Sequence, residues 1–192
     1  MFGGLGKIIA IGASTGGVEA LGQLLSGLPD SAPPVLLVIH MQAGMTRLFA
    51  NHLDGDIKLS VKEAVDGDVL KKGQVFIAPS GKHMRVISRN GQQVFVECKA
   101  GAKVQSCIPS ADVLFDSVAD VFKQNAIGVI LTGVGADGAR GLLRMREKGA
   151  STIGQDEQSS AVYGMPKVAM EMGAVQHQLP LNRIANKILS LT

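Results

Sequence analysis

"IAIGASTGG", residues 9–17, is an apolar run that breaks at a small, polar, glycine-rich corner. The run "KIIAIG" (7–12) is apolar and rich in β-branched residues, the pattern of a strand buried on both faces, as in a parallel sheet. Behind the corner, Val18, Leu21, Leu24, Leu25 and Leu28 recur at helical spacing, and Pro29 ends the pattern. "VLLVI" (35–39) reads as a second buried strand and "MTRLFANHL" (45–53) as a helix. The chain therefore opens with a β-α-β unit, and the corner lies between its first strand and its first helix. Such a corner serves two chemistries. Its helix N-terminus suits an anion such as a phosphate, and its serine, Ser14, suits nucleophilic attack.

Composition narrows the field. The 192 residues suit one domain with a substantial core, and 46% of them are hydrophobic, so the chain is not disordered. Aromatic residues make up 4% with no Trp, which speaks against stacking on bases or sugars. The formal charge of +3 and the pI near 9.0 come from scattered Lys and Arg, without the dense run a nucleic-acid groove needs. Mild attraction to an acidic protein surface fits; nucleic acid does not. The two cysteines, Cys98 and Cys107, form neither a CxxC pair nor a disulfide framework, so reduced thiols are expected. No run reaches the ~18 apolar residues of a membrane span, and the first residues lack a signal-peptide pattern. The expected compartment is the cytoplasm.

Further along, "QVFIAP", "HMRVIS" and "QQVFVEC" read as short strands of an antiparallel insertion near 74–98, with a hairpin turn at Asn90-Gly91. Residues 99–109 read as a loop. A helix over 110–125 has Ser110 as its N-cap and Leu114, Val118, Val121 and Phe122 on one face. "IGVIL" (127–131) is another buried strand, running into "TGVGADGARG" and a helix that Gly149 stops. "STIGQ" (151–155) is a strand, and "MPKVAMEMG" (165–173) a helix with Pro166 at its start. The expected fold is α/β: a doubly wound, mostly parallel sheet with an antiparallel hairpin insertion and helices on both faces.

In doubly wound sheets, ligands sit beyond the carboxyl ends of the strands. Ser14 follows the first strand, His40 the second, and Asp137 follows 127–131. A serine, a histidine and an aspartate at one sheet edge are what acyl transfer requires. Neutral imidazole takes the serine proton, and a buried carboxylate fixes the imidazole tautomer. Gly12-Ala13-Ser14-Thr15-Gly16 also fits the G-x-S-x-G elbow. Each residue alone has a plainer role: Ser14 as a helix cap, His40 as a structural histidine, Asp137 as part of an Asp-Gly turn. Backbone N–H groups at the corner (Thr15) and at Val134 and Gly135 are candidates for an oxyanion hole. The competing reading is an anion- or nucleotide-binding regulatory module. It lacks G-x-G-x-x-G spacing, a Walker A lysine, and an acidic residue after the second strand. His40, His52, His83 and His177 form no HxxxH or HxH pair, so neither a metal nor a cofactor is expected.

Seven blocks in order carry a more specific signal: "IGASTGG" (11–17), "HM..G.TR.FA..L" (40–53), "SVKEA.DG" (60–67), "IAP..KHM" (77–84), "PS.DVLF.SVA" (109–119), "GVILTG.G.DGA" (128–139) and "GMP..A" (164–169). From about Lys7 onward the chain resembles the catalytic domain of the chemotaxis protein-glutamate methylesterases, the CheB family. The resemblance implies a triad of Ser14, His40 and Asp137. It also implies hydrolysis of glutamate γ-methyl esters on chemoreceptor signalling helices, with deamidation of specific receptor glutamines. Two positions depart from the family pattern. Val134 stands where the family commonly has Met, and Ser106-Cys107-Ile108 where it often has Arg-His-Arg. Residues 1–192 are expected to form one catalytic domain without the family's receiver domain, and hence an esterase that ignores phosphodonors.

Overall fold

The computed structural model describes residues 4–89 and 93–192; the Asn90-Gly91 turn lies outside them. The chain runs β1 (Ile8–Ala13), α1 (Gly17–Ser26), β2 (Val35–Ile39), α2 (Met45–Asp56), β3 (Ser60–Glu63), β4 (Gln74–Ile77), β5 (His83–Arg89), β6 (Gln93–Lys99) and α3 (Ala111–Phe122). It continues through β7 (Ala126–Ile130), α4 (Ala139–Glu147), β8 (Ser151–Gln155), α5 (Met165–Glu171), β9 (His177–Leu179) and α6 (Leu181–Leu191). Seven strands form one sheet in the order β3-β4-β2-β1-β7-β8-β9, and every pairing in it is parallel. β5 and β6 form a separate antiparallel pair.

β1 is apolar at almost every position because both its faces are covered. Ile9, Ile11 and Ala13 join one core, with Leu21 and Leu24 of α1, Phe49 and Leu53 of α2, and Ile184 and Ile188 of α6. Ile8 and Ala10 face the other core, with Leu114, Phe115 and Val118 of α3, Leu142 and Met145 of α4, and Met165 of α5. The two-residue period of a strand is thus intact, with an apolar partner waiting on each side. β5 and β6 add Met84, Val86, Val94 and Val96 to the α3 side.

The structure corrects several expectations. "QVFI" is not part of the antiparallel insertion: β4 pairs in parallel with both β2 and β3. Val75, Phe76 and Ile77 are all buried, whereas β5 exposes Arg85, Ser88 and Arg89. β3, β9 and α6 have no counterpart in the sequence reading. β3 and β9 are short edge strands with polar residues facing out, so they carry no apolar run. Val18 is exposed, off the buried face of α1. Among the described residues, no helix is long and apolar enough to cross a membrane.

The chain leaves β1 toward β2 on one side and later returns to β7 on the other. α1 covers one face of the sheet and α4 the opposite one. The crevice at this reversal is where doubly wound sheets hold their ligands. It is bordered by the residues that follow β1 and β7.

Candidate active site

Ser14 is the first residue beyond β1, and its backbone is held tightly. Its N–H donates to Thr132 O at 3.0 Å, and its carbonyl accepts from Gly17 N at 2.7 Å. The cap of α1 is Gly16, in the left-handed region at φ 77°, and no side chain caps this helix. A Cβ on Gly16 would lie 2.5 Å from Ala161 Cβ, so both backbone angle and space call for glycine here. Ser14 is therefore not the helix cap. Its hydroxyl is half-buried and makes no hydrogen bond among the described residues. Gly133 lies against it: a Cβ there would fall 2.6 Å from Ser14 Cβ.

His40 is the first residue beyond β2. Its N–H donates to Ala13 O at 3.1 Å, which extends the β1–β2 ladder and sets His40 beside Ser14 on neighbouring strands. Adjacent strands are ~4.8 Å apart. His40 Nε2 lies 2.8 Å from Asp137 Oδ2. An ionised carboxylate only accepts, so Nε2 carries the proton and Nδ1 keeps its lone pair. His40 is 18% exposed and Asp137 2%.

Asp137 is held by more than the histidine. Ser110 Oγ donates to its Oδ1 at 2.6 Å, Ala111 N to Oδ2 at 2.7 Å, and Asp112 N to Oδ1 at 3.1 Å. The carboxylate thus sits on the N-terminus of α3, where free N–H groups and the helix dipole favour negative charge. Burial alone would raise its pKa. The hydrogen bonds from His40, Ser110, Ala111 and Asp112 outweigh burial and hold the carboxyl below its ordinary value. The Asp-Gly pair does form a turn, because Gly138 caps α4. The Asp137 side chain nevertheless serves α3 and His40.

Several residues that the sequence does not assign to the site surround this dyad. Ser110 caps α3 as expected, accepting from Val113 N, but its hydroxyl proton goes to Asp137. His83, 7% exposed, donates from Nε2 to Ala102 O at 2.8 Å and accepts Ser110 N–H on Nδ1 at 3.2 Å. Thr132 Oγ1 donates to Thr15 O at 2.9 Å and accepts from Val162 N at 2.9 Å, tying the corner to the loop before α5. Gln105 donates to Asp112 Oδ2 at 2.7 Å and steadies the loop that carries Cys107. Asp112 is fully buried, and that burial pushes its carboxyl above the ordinary value despite hydrogen bonds from Gly141 N and Gln105.

The three residues with candidate oxyanion N–H groups follow two neighbouring strands, β1 and β7. Thr15 follows Ser14. Val134, 61% exposed, and Gly135 follow β7, and Gly135 has φ 93°. Among the described residues, the N–H groups of Thr15, Val134 and Gly135 have no hydrogen-bond acceptor.

A serine on a strand-to-helix corner, an imidazole whose Nε2 meets a buried carboxylate and whose Nδ1 lies 3.9 Å from Cys107 Sγ, and N–H groups without acceptors after β1 and β7 are the parts a hydrolase site needs on a doubly wound α/β fold. The CheB methylesterase family model matches residues 9–188, and the chain belongs to that family. It is 52% identical over 186 residues to the protein-glutamate methylesterase/protein-glutamine glutaminase 2 of Syntrophomonas wolfei, covering 97% of this chain and 54% of the relative. It is 51% identical over 185 residues to the corresponding protein of Sulfurimonas denitrificans, covering 96% and 52%. The chain thus spans about half the length of these curated relatives. The crystal structure of the Thermotoga maritima CheB methylesterase catalytic domain superposes with a TM-score of 0.95 at 38% identity, covering 97% of this chain and 99% of that one. These likenesses favour the hydrolase reading over the nucleotide-binding module.

Proposed function

We propose that this chain is a serine carboxylic-ester hydrolase that removes methyl groups from glutamate γ-esters on chemoreceptor signalling helices in the cytoplasm. We propose that residues 1–192 act in this as one catalytic domain. The observation that carries the reading is the His40–Asp137 hydrogen bond at 2.8 Å, formed beside an unpartnered Ser14 hydroxyl.

In the proposed reaction, the ester carbonyl lies over Ser14 with its oxygen toward the N–H groups of Thr15, Val134 and Gly135. Ser14 Oγ attacks the carbonyl carbon and His40 Nδ1 takes the hydroxyl proton. Asp137 remains ionised and stabilises the imidazolium. The oxyanion gathers charge where the N–H groups wait, so they act most strongly on the transition state. His40 then protonates the departing methoxide, and methanol leaves a γ-glutamyl–Ser14 ester. Water attacks this ester with His40 again as base, releasing the glutamate carboxylate and restoring Ser14. With a glutamine substrate the same steps expel ammonia, which makes deamidation a second proposed activity of the site.

The test is covalent. A fluorophosphonate probe is expected to label Ser14, located by peptide mass spectrometry, and to leave Ser14→Ala unlabelled. Labelling elsewhere, or none, would remove Ser14 as nucleophile.

A further inference from the structure

Cys107 takes no part in the reaction above, yet it stands at the base nitrogen. Its Sγ lies 3.9 Å from His40 Nδ1 and 3.4 Å from Gln105 O. One ligand atom from each of Cys107, His40 and Asp137 falls within 4.8 Å of the others. The turn that presents the thiol is tight. Val104 and Cys107 exchange both backbone hydrogen bonds, at 3.0 and 2.8 Å, across Gln105 and Ser106. Both central residues are non-glycine at positive φ, 47° and 64°. Such backbone persists where the surroundings hold it, and here the Gln105–Asp112 hydrogen bond does so.

The sulfur-to-nitrogen distance suits a shared metal ion. Zn–S of ~2.3 Å and Zn–N of ~2.0 Å at a tetrahedral angle place the two ligand atoms ~3.5 Å apart. The observed 3.9 Å needs a shift of only a few tenths of an ångström, and Cys107 is part-exposed on a surface loop. Nδ1 faces the Cys107 thiol, and Nε2–H is held by Asp137. A carboxylate behind a metal-binding imidazole is the usual outer support of a zinc ligand.

We propose that Cys107 Sγ and His40 Nδ1 form a binding site for a thiophilic divalent cation, Zn²⁺ by preference, with Asp137 as the outer partner of the imidazole. On binding, the thiol gives its proton to solvent, sulfur and nitrogen each donate an electron pair, and no redox change occurs. Water fills the remaining positions. The ion then occupies the nitrogen that must receive the Ser14 proton, so it inhibits hydrolysis reversibly; this consequence rests on the hydrolase reading above. The 67-residue separation of the two ligands hides the site from any spacing motif.

The test uses Cd²⁺ as a spectroscopic probe for the zinc-type site. Titration into the reduced protein is expected to produce an ultraviolet cadmium–thiolate band that saturates at one equivalent. Cys107→Ser is expected to abolish the band, and His40→Gln to weaken binding by at least ~10-fold. Thermal melts establish that both variants are folded. Cys98, 6% exposed, is too enclosed to substitute for Cys107. Absence of the band, its survival in Cys107→Ser, or unchanged affinity in His40→Gln each overturns the proposal. Methanol release with and without Zn²⁺, read for the parent and for Cys107→Ser against each one's own metal-free rate, is expected to fall with Zn²⁺ in the parent and to be spared in Cys107→Ser; equal inhibition of both overturns the inhibitory role of the site. A protein that shows the band through both residues but never releases methanol keeps the metal site and loses the hydrolase reading.

Discussion

Asp137 Oδ2 lies 2.8 Å from His40 Nε2, joining residues 97 apart in sequence, and the same carboxylate closes the N-terminus of α3. One buried group therefore sets the imidazole tautomer and completes a helix cap.

Asp137→Asn disturbs both functions. An amide presents donor hydrogens to a cluster of donors and favours the wrong imidazole tautomer. The variant is expected to lose roughly 10⁴-fold in kcat, by analogy with serine proteases, and to be destabilised by about 1–3 kcal/mol. Ester hydrolysis and urea unfolding at neutral pH check both. A variant with near-normal turnover would show that the tautomer is not set by Asp137.

The acid limb of stability has a definite sign. The folded pKa of Asp137 lies below its unfolded value. Its contribution is therefore complete above the unfolded value of ~3.9 and is lost as pH falls through the folded one. The stability gap between the parent and Asp137→Asn is expected to be widest near neutrality and to shrink below about pH 4. Urea midpoints at a series of pH values measure it. A gap that widened toward acid would contradict the hydrogen-bonded, ionised carboxylate.

Ser110→Ala removes the 2.6 Å hydrogen bond to Asp137 and the side-chain cap of α3 together. A loss of about 1 kcal/mol is expected from the cap, with the carboxyl pKa moving upward as one of its donors disappears. Carbon NMR of the Asp137 carboxyl, compared between parent and variant, reads that shift. An unchanged titration would mean that Ser110 does not tune the acid.

Gly133→Ala tests the close approach behind the nucleophile. The added methyl would lie 2.6 Å from Ser14 Cβ, so the corner must move. A shift near 1 Å can cost ~10²-fold in rate, and the overpacking about 1–3 kcal/mol. Normal kcat with normal melting would show that Ser14 is not held by this contact.

The proposed triad stands out in the sequence because Ser14 and His40 each follow an apolar run at the end of β1 and β2, while Asp137 lies in the glycine-rich segment after β7. Continuous burial produces such runs, and the parallel sheet produces the burial. The support around them is not legible in the same way. Ser110 signals its cap through spacing, but its bond to Asp137 crosses 27 residues, and the Cys107–His40 approach crosses 67. The place of β4 is masked by its closeness in sequence to the β5–β6 hairpin. Its unbroken "VFI", beside the polar Arg85 and Ser88 that interrupt "HMRVIS", distinguishes a doubly covered strand from a half-exposed one. α6 was readable in principle, since Ile184 and Ile188 bury one face of a short periodic segment. β3 and β9 were not, because edge strands need no apolar run.

The most direct measurement of the central claim is methanol release from methyl-labelled receptor membranes, run with the parent chain and with Ser14→Ala at matched folding. The parent is expected to release labelled methanol, and Ser14→Ala to fall by on the order of 10⁶-fold. Methanol release by Ser14→Ala at a rate near the parent's would contradict the account.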